Sequence, residues 1–393
     1  MAIFAVSYPM LMKIELFDKP ELHAELLPLS YTRPVAALRV GIDTIAEKWR
    51  HFIPGDYSWG CDTPYLREIF APADAPDLYI AGELIPDAAL AAAVAALGAD
   101  ERLVAGEREI ARRGAASETV EYKGAVTTVD HLYDIFLLNG EAILNDFRRL
   151  TAGRSSQPLS ATNTVIGDPS LIFIEEGARV EGAFLNTTAG PIYVAGGAEI
   201  MEGSMLRGPV ALCTHAVVNM GTKIYPDTTI GPWCKVGGEL NNVVMQGYSN
   251  KAHDGFLGNA VIGEWCNIGA GAVASNLKND YTPIRLWNYP TGRFLRTGLQ
   301  FCGLIMGDHS KAGINTMFNT ATVLGVGVNI HGSGFPRNFV ASFSEGSTAG
   351  FTDVSMTKFF DIASRMMARR GVELTEADKR MFYAIREAAE AYK

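Results

Sequence analysis

The sequence predicts an α/β sandwich followed by a parallel β-helix of hexapeptide repeats with a helical cap, and three observations predict it. Val194, Ile200, Leu206, Leu212, Val218, Ile224, Ile230 and Val236 place an aliphatic side chain at every sixth position without a miss. A period of six fits neither an amphipathic helix nor a plain strand; it belongs to a β-helix in which three hexads make one triangular coil and the aliphatic residues point inward. Strand-like and helix-like segments alternate before residue 150, the pattern of an α/β layer fold. After about residue 334 the period changes again, to that of two amphipathic helices.

The first domain is expected over 12–150. KIELFD, from Met12 onward, reads as its first strand. A polar loop and a Pro-bounded turn lead to a helical pattern at Ile42, Ile45 and Trp49. A strand over Asp77 to Ile80 runs into Gly82-Glu83, and an alanine-rich helix spans about Asp87 to Leu97. Short β segments reach about Thr127, and Leu132, Ile135, Phe136, Ile143 and Phe147 mark a helix within 130–150. TAGRSSQPLSATN, small and polar, is a linker over 151–163. The β-helix is assigned to 164–334 and the helical tail to 335–393, with Ser355 and Thr375 as N-caps. The tail's expected role is to cover the open end of the solenoid, where unpaired strand edges would otherwise face water.

The hexad register breaks between Val236 and Ile262, then resumes at Ile262 and Ile268; a second run, Met306, Ala312, Phe318, Leu324 and Ile330, follows a loop over about 275–300. His253 lies in the break, between Lys251 and Asp254. Imidazole titrates near neutral pH, so it suits proton abstraction from an amine attacking a thioester, the chemistry of acyl transfer. The plain alternative is a corner residue capping backbone groups. His309 and His331 read as corner residues, and no two histidines or carboxylates in the solenoid stand at metal-ligand spacing.

Forty-eight per cent hydrophobic and 20% charged residues describe an ordinary globular chain. A formal charge of −9 argues against a nucleic-acid partner, while leaving room for a local basic pocket. The five cysteines are scattered, without a CxxC pair, and read as reduced thiols of a cytoplasmic protein. MAIFAVSYPML is too short for a membrane span and has no preceding basic residue, so residues 1 to 11 are read as a start-codon extension and no membrane partner is expected.

TTIGPWCKVGGELNNVVMQGYSNKAHDGFLGNAVIGEWCNIGAGAVASNLKND, continued by CGLIMGDHSKAGINTMF, resembles the acetyltransferase half of bifunctional N-acetylglucosamine-1-phosphate uridylyltransferases and of archaeal-type sugar-1-phosphate nucleotidylyltransferase/acetyltransferases. The resemblance is clear over about 228–332 and weak elsewhere. It implies a nucleotidyltransferase-like domain joined to a left-handed β-helix, a homotrimer, and the substrates acetyl-CoA, a sugar 1-phosphate and an NTP. It implies that His253 is the general base, that Asn267 and Asn276 lie near the acyl donor and acceptor, and that Ala270 contacts coenzyme A. The family's tyrosine three residues after the histidine is Phe256, and the arginine of its sugar-phosphate clamp falls on Gly237-Gly238. Lys235, Lys251 and Lys278 are the cations offered for the sugar substrate, with Lys311 for the cofactor.

LLPLSYTRPVAALRVG is similar to the family's nucleotidyltransferase stretch, which makes Arg33 and Arg39 nucleotide contacts and Glu83 a Mg²⁺ ligand. The family's phosphate-cradling glycine loop is replaced by DKPELHAE, and its lysine falls on Val35. The expected function is acetylation of a hexosamine 1-phosphate followed by uridylyl transfer to give a UDP-N-acetyl sugar. A monofunctional acyltransferase, another sugar-phosphate nucleotidylyltransferase such as a thymidylyltransferase, and a non-catalytic scaffold that binds nucleotide sugars are the alternatives.

Overall fold

A computed structural model describes residues 11–393. The start-codon reading of the residues before Leu11 lies outside the described residues. The chain divides into two compact units, and the division does not follow the order of the sequence.

Among the described residues, one unit comprises 11–20, Pro34–Ala37 and Ile45–Val129. Its six-stranded sheet runs Asp56–Gly60, Lys13–Phe17, Leu78–Ala81, Arg108–Arg112, Glu101–Ala105, Glu118–Glu121. The first three strands are parallel, and Arg108–Arg112 is antiparallel to both its neighbours. Ile14, Leu16 and Ile80 are buried from the sheet and Ile45 and Trp49 from the helix Ile45–Phe52, which accounts for the apolar spacing of both elements. The indole of Trp49, fully buried, satisfies its N–H on Leu84 O at 2.9 Å. Asp87 caps the alanine-rich helix Ala88–Ala95 by accepting from Leu90 N.

The other unit holds Glu21–Arg33, Leu38–Thr44 and everything from Asp130 onward. The helix Asn139–Thr151, which the sequence places in the first domain, presents Ile143 and Phe147 to Phe173, Tyr193 and Ala211 on the flank of the solenoid. Asn139 joins in: its amide donates to Asp227 O and accepts from Gly41 N. A helix with one apolar stripe must bury it somewhere, and the pattern alone does not name the partner.

The solenoid stacks parallel strands on three faces. Ile192, Val210 and Thr228 follow one another at the hexad-predicted interval on one face, and Glu199, Val217 and Lys235 on another. All eight aliphatic residues of the predicted run are buried in one continuous core, with Met306, Ala312, Phe318, Leu324 and Ile330 extending it. Pairing continues beyond Gly334: Phe339–Val340 joins Val323–Leu324, and Ser344–Ser347 joins Asn329–Ile330.

Two coils in the middle are short. Lys235 pairs with Asn250 and Asn250 with Asn267, intervals of fifteen and seventeen residues in place of eighteen. The chain covers the missing length with one unbroken strand, Glu239–Gly247, which begins beside Lys223 on one face and ends beside Ile230 on the next. One corner carries bulky residues in the left-handed region that usually favours glycine: His215, Trp233, Tyr248, Trp265 and His309 have φ between 55° and 60°. Their rings form a ladder, His215 on Trp233 and Tyr248 on Trp265, both at 4.2 Å between centroids.

Ser355 and Thr375 cap the tail helices Met356–Ala368 and Glu376–Ala389, the second with a full capping box. Phe359 and Phe382 pack on His309 and Phe343. The first tail helix also lines the flank, because its C-terminal Met366, Arg369 and Arg370 meet Lys235 and Asn250 around one cavity.

Candidate functional site

His253 is exposed on a four-residue turn between Asn250–Lys251 and Phe256–Glu264. The backbone of that turn is fixed at three successive carbonyls. Ala252 O accepts from Asn219 Nδ2 at 2.8 Å, His253 O from Lys251 Nζ at 2.6 Å, and Asp254 O from Gly271 N at 3.0 Å. The imidazole therefore stands free on a rigid base. That is what a general base requires, since rate depends on geometry first.

Lys251, expected to meet the sugar substrate, lies in the interior of the coil. Its side chain is 1% exposed. It pairs with Val236 and so occupies an inward position, where the hexads elsewhere place aliphatic residues. Nζ donates to Gly237 O at 3.0 Å as well as to His253 O. Burial pulls the ammonium down to about 8, against a smaller pull upward from Asp254.

Gly237 and Gly238 explain the missing clamp arginine. A Cβ on Gly237 would stand 2.4 Å from Ala252 O, and one on Gly238, at φ +76°, would stand 2.7 Å from Gly255 O. The close approach of the histidine turn excludes any side chain there.

Lys235, Asn267 and Lys311 fall in one column of paired positions, with Asn250 between the first two. Lys235, Asn250 and Asn267 line a cavity of about 180 Å³ together with Tyr248, Ala252, Trp265, Met366, Arg369 and Arg370. Sequence reasoning missed Asn250, because the shortened coils hide its register. Lys311 spends its ammonium on His309 O at 2.8 Å, and burial lowers its pKa. Ala270 O accepts from the backbone N–H of Asn315 at 2.8 Å. Asn276 Nδ2 donates to Asn259 Oδ1 at 2.8 Å and lies with the Phe256 ring over Gly258. Lys278 turns back to Thr282 and Pro283 in its own loop.

The residues expected to hold the nucleotide are placed otherwise. Arg33 is buried in the solenoid-containing unit, paired with Glu264 at 3.1 Å and with Asp308, whose carboxylate also accepts from Thr32 Oγ1 and Glu264 N. Burial opposes the guanidinium's charge, but Asp308 and Glu264 hold its pKa above the ordinary value. Burial pushes Glu264 up, against the pull of Arg33. Arg39 is equally enclosed, donating to Ile42 O and Gln246 O while its own backbone exchanges bonds with the Gln246 amide. Both guanidinium groups are engaged by acceptors of the protein itself. Charge and spacing mark an arginine as a phosphate ligand only when its carboxylate partners are unseen.

Glu83, in the sheet-containing unit, is 1% exposed and holds Lys19 at 3.0 Å and Arg108 at 3.2 Å on one oxygen. Its other oxygen has no partner. Among the described residues Glu83 belongs to no cluster of three metal-ligating side chains. Two cations already neutralise it, so the arrangement does not fit Mg²⁺, which needs several oxygens in near-octahedral array. Val35 N donates to both oxygens of Asp18, at 3.1 and 3.0 Å, where the family's lysine would stand.

Residues 14–155 match the model of the sugar nucleotidyl transferase family. The chain is 25% identical over 201 residues to the bifunctional protein GlmU of Gloeobacter violaceus, covering 44% of this chain and 42% of that protein. It is 26% identical over 168 residues to GlmU of Geotalea uraniireducens, covering 36% of each. It is 26% identical over 174 residues to a bifunctional sugar-1-phosphate nucleotidylyltransferase/acetyltransferase of Sulfurisphaera tokodaii, covering 44% of this chain and 41% of that protein. The chain spans less than half the length of these relatives. A solved structure of the polysialic acid O-acetyltransferase OatWY covers 50% of this chain and 86% of its own at 12% identity, with a TM-score of 0.21, too low to carry weight. No helix among the described residues is long and apolar enough to cross a membrane.

Proposed function

We propose that the protein is an acetyltransferase of amino-sugar nucleotide synthesis that acts on a hexosamine 1-phosphate, with His253 as general base. The observation that carries this reading is the exposed imidazole held on three fixed carbonyls at the break in a hexapeptide solenoid. Acetyl-CoA supplies the thioester. His253 takes the proton from the amino group as nitrogen attacks the acyl carbon, and the thiolate leaves. The similarity to bifunctional sugar-1-phosphate enzymes supports the sugar class.

The full reading adds uridylyl transfer in the sheet-containing unit, yielding a UDP-N-acetyl sugar, and places the enzyme in the cytoplasm as a homotrimer. The family match over 14–155 supports the nucleotidyl step. A second reading, a monofunctional acetyltransferase with a first unit that has lost its reaction, is favoured by the ion pairs that engage Arg33 and Glu83.

The test is mass spectrometry of the purified protein with acetyl-CoA, a panel of hexosamine 1-phosphates, and UTP or dTTP with Mg²⁺. Acetylation lost by about a hundredfold or more in His253→Ala, with normal folding, supports the base assignment. Equal turnover in the variant overturns it. Nucleotide sugar among the products separates the two readings. Light scattering that returns a monomer with full activity would refute the trimer.

A further inference from the structure

The first tail helix is expected to cover the solenoid, yet the residues that end it, the C-cap Arg369 and Arg370 after it, do something a cover has no need of. Arg369 and Arg370 face Lys235 across the cavity lined by Asn250, Asn267, Tyr248 and Trp265. Three cations thus converge in a chain whose formal charge is −9. Among the described residues none of the three pairs with a carboxylate; Glu264, which acts on the Tyr248 hydroxyl, is held by Arg33. Arg370 lies over the Trp233 ring at 5.5 Å from its centroid. A helix C-terminus favours one nearby cation, but it does not account for a lysine on the coil beside it.

Two further features point to a ligand. Asn250 lines the cavity and, among the described residues, its buried Oδ1 has no hydrogen-bond partner, so a ligand hydroxyl that the side-chain amide turns to meet gains that bond. Tyr248, half-buried and stacked at 10° from parallel on the buried Trp265 ring, adds an apolar wall to the same cavity. A planar apolar wall suits the face of a ring. At about 180 Å³ the cavity admits a phosphate and the part of a ring next to it, with the remainder of a larger ligand lying outside.

We propose that this cavity binds a phosphate monoester carried on a hydroxyl-bearing ring, with Arg369, Arg370 and Lys235 on the phosphate and Asn250 on a ring hydroxyl. A sugar phosphate and a nucleotide share that chemistry. The proposal adjoins the acetyltransferase reading at Ala252, next to His253, but it concerns binding and stands or falls separately from turnover.

Calorimetry at low salt tests it, with inorganic phosphate, glucose 1-phosphate, AMP, coenzyme A, and the uncharged glucose and adenosine. At least one phosphorylated ring should bind where its uncharged counterpart does not. The double variant Arg369→Ala/Arg370→Ala should weaken it about tenfold or more, as expected for lost charge-assisted bonds. Arg365→Ala, exposed on the same helix, should leave it unchanged. Which probe binds best assigns the sugar or the nucleotide source. Absence of binding by every phosphorylated probe at millimolar concentration, or equal affinity in the double variant, overturns the proposal. His253→Ala should bind like the parent protein whether or not acetyl transfer is confirmed.

Discussion

Replacing Lys251 with methionine should destabilise the protein far more at pH 10 than at pH 7. The native ammonium titrates at about 8 against 10.5 for a free lysine. The folded state therefore disfavours the charge by on the order of 3 kcal/mol, at 1.36 kcal/mol for each pKa unit. Because the pKa is depressed on folding, that penalty is present in full below pH 8, where both states are protonated. It is relieved as pH rises from 8 to 10.5, where the unfolded chain still binds the proton and the native chain does not. Methionine fills a similar length without the penalty, but leaves Gly237 O and His253 O without their donor, at a cost of about 1–3 kcal/mol each. Near pH 7 the relief of about 3 kcal/mol offsets half or more of the roughly 2–6 kcal/mol lost with the two bonds. Near pH 10 only the lost bonds remain, so the difference between parent and variant should widen by up to about 3 kcal/mol. Urea unfolding of both proteins at pH 7, 8, 9 and 10 reads this directly, since other titrating groups are common to the pair. Parallel stability curves would refute the interior placement of the amine.

Arg33→Met should cost about 3–5 kcal/mol, because it strands the Asp308 carboxylate in a buried position; a nucleotide-facing arginine would instead cost affinity with little stability, and urea unfolding beside UTP calorimetry separates the two. His309 is buried with its Nδ1 unpartnered among Trp265, Phe359 and Phe382, and burial, with Lys311 and Arg33, holds its pKa well below 6.5. Below pH 6.5 the unfolded chain takes a proton the native chain refuses, so stability should fall there, and the thermal midpoint of His309→Phe should fall less than that of the parent protein between pH 7 and 5. Gly237→Ala should lower acetyl transfer together with stability, since its methyl group meets the backbone of the histidine turn; unchanged activity would mean the turn has room to move.

What was legible in the sequence is what local rules govern. The inward aliphatic residues declared themselves through a period of six, and Ser355 and Thr375 through the cap chemistry of their own helices. The surroundings of the arginines were not legible because their partners are remote: Arg33 meets Asp308 and Arg39 meets Gln246, 275 and 207 residues away. An arginine that matches a phosphate-binding motif reads the same whether it faces a ligand or a buried carboxylate. The aromatic corner was hidden differently. His215, Trp233, Tyr248 and Trp265 are equivalent positions, but unequal coil lengths between them erase the period that would have aligned them.

The short coils join these observations to the candidate chemistry. Losing residues after Val236 forces the strand Glu239–Gly247 to serve two faces, and the next inward position on the third face falls on Lys251. A cation inside an apolar prism must find acceptors, and those within reach are Gly237 O below and His253 O above. The defect in the repeat is thereby what ties down the turn bearing the imidazole. The same closeness bars side chains from Gly237 and Gly238. On the proposed reading, a cation that meets a phosphorylated acceptor near His253 comes from beside that turn, and Arg369, Arg370 and Lys235, which pair with no carboxylate among the described residues, stand around the cavity that Ala252 itself lines.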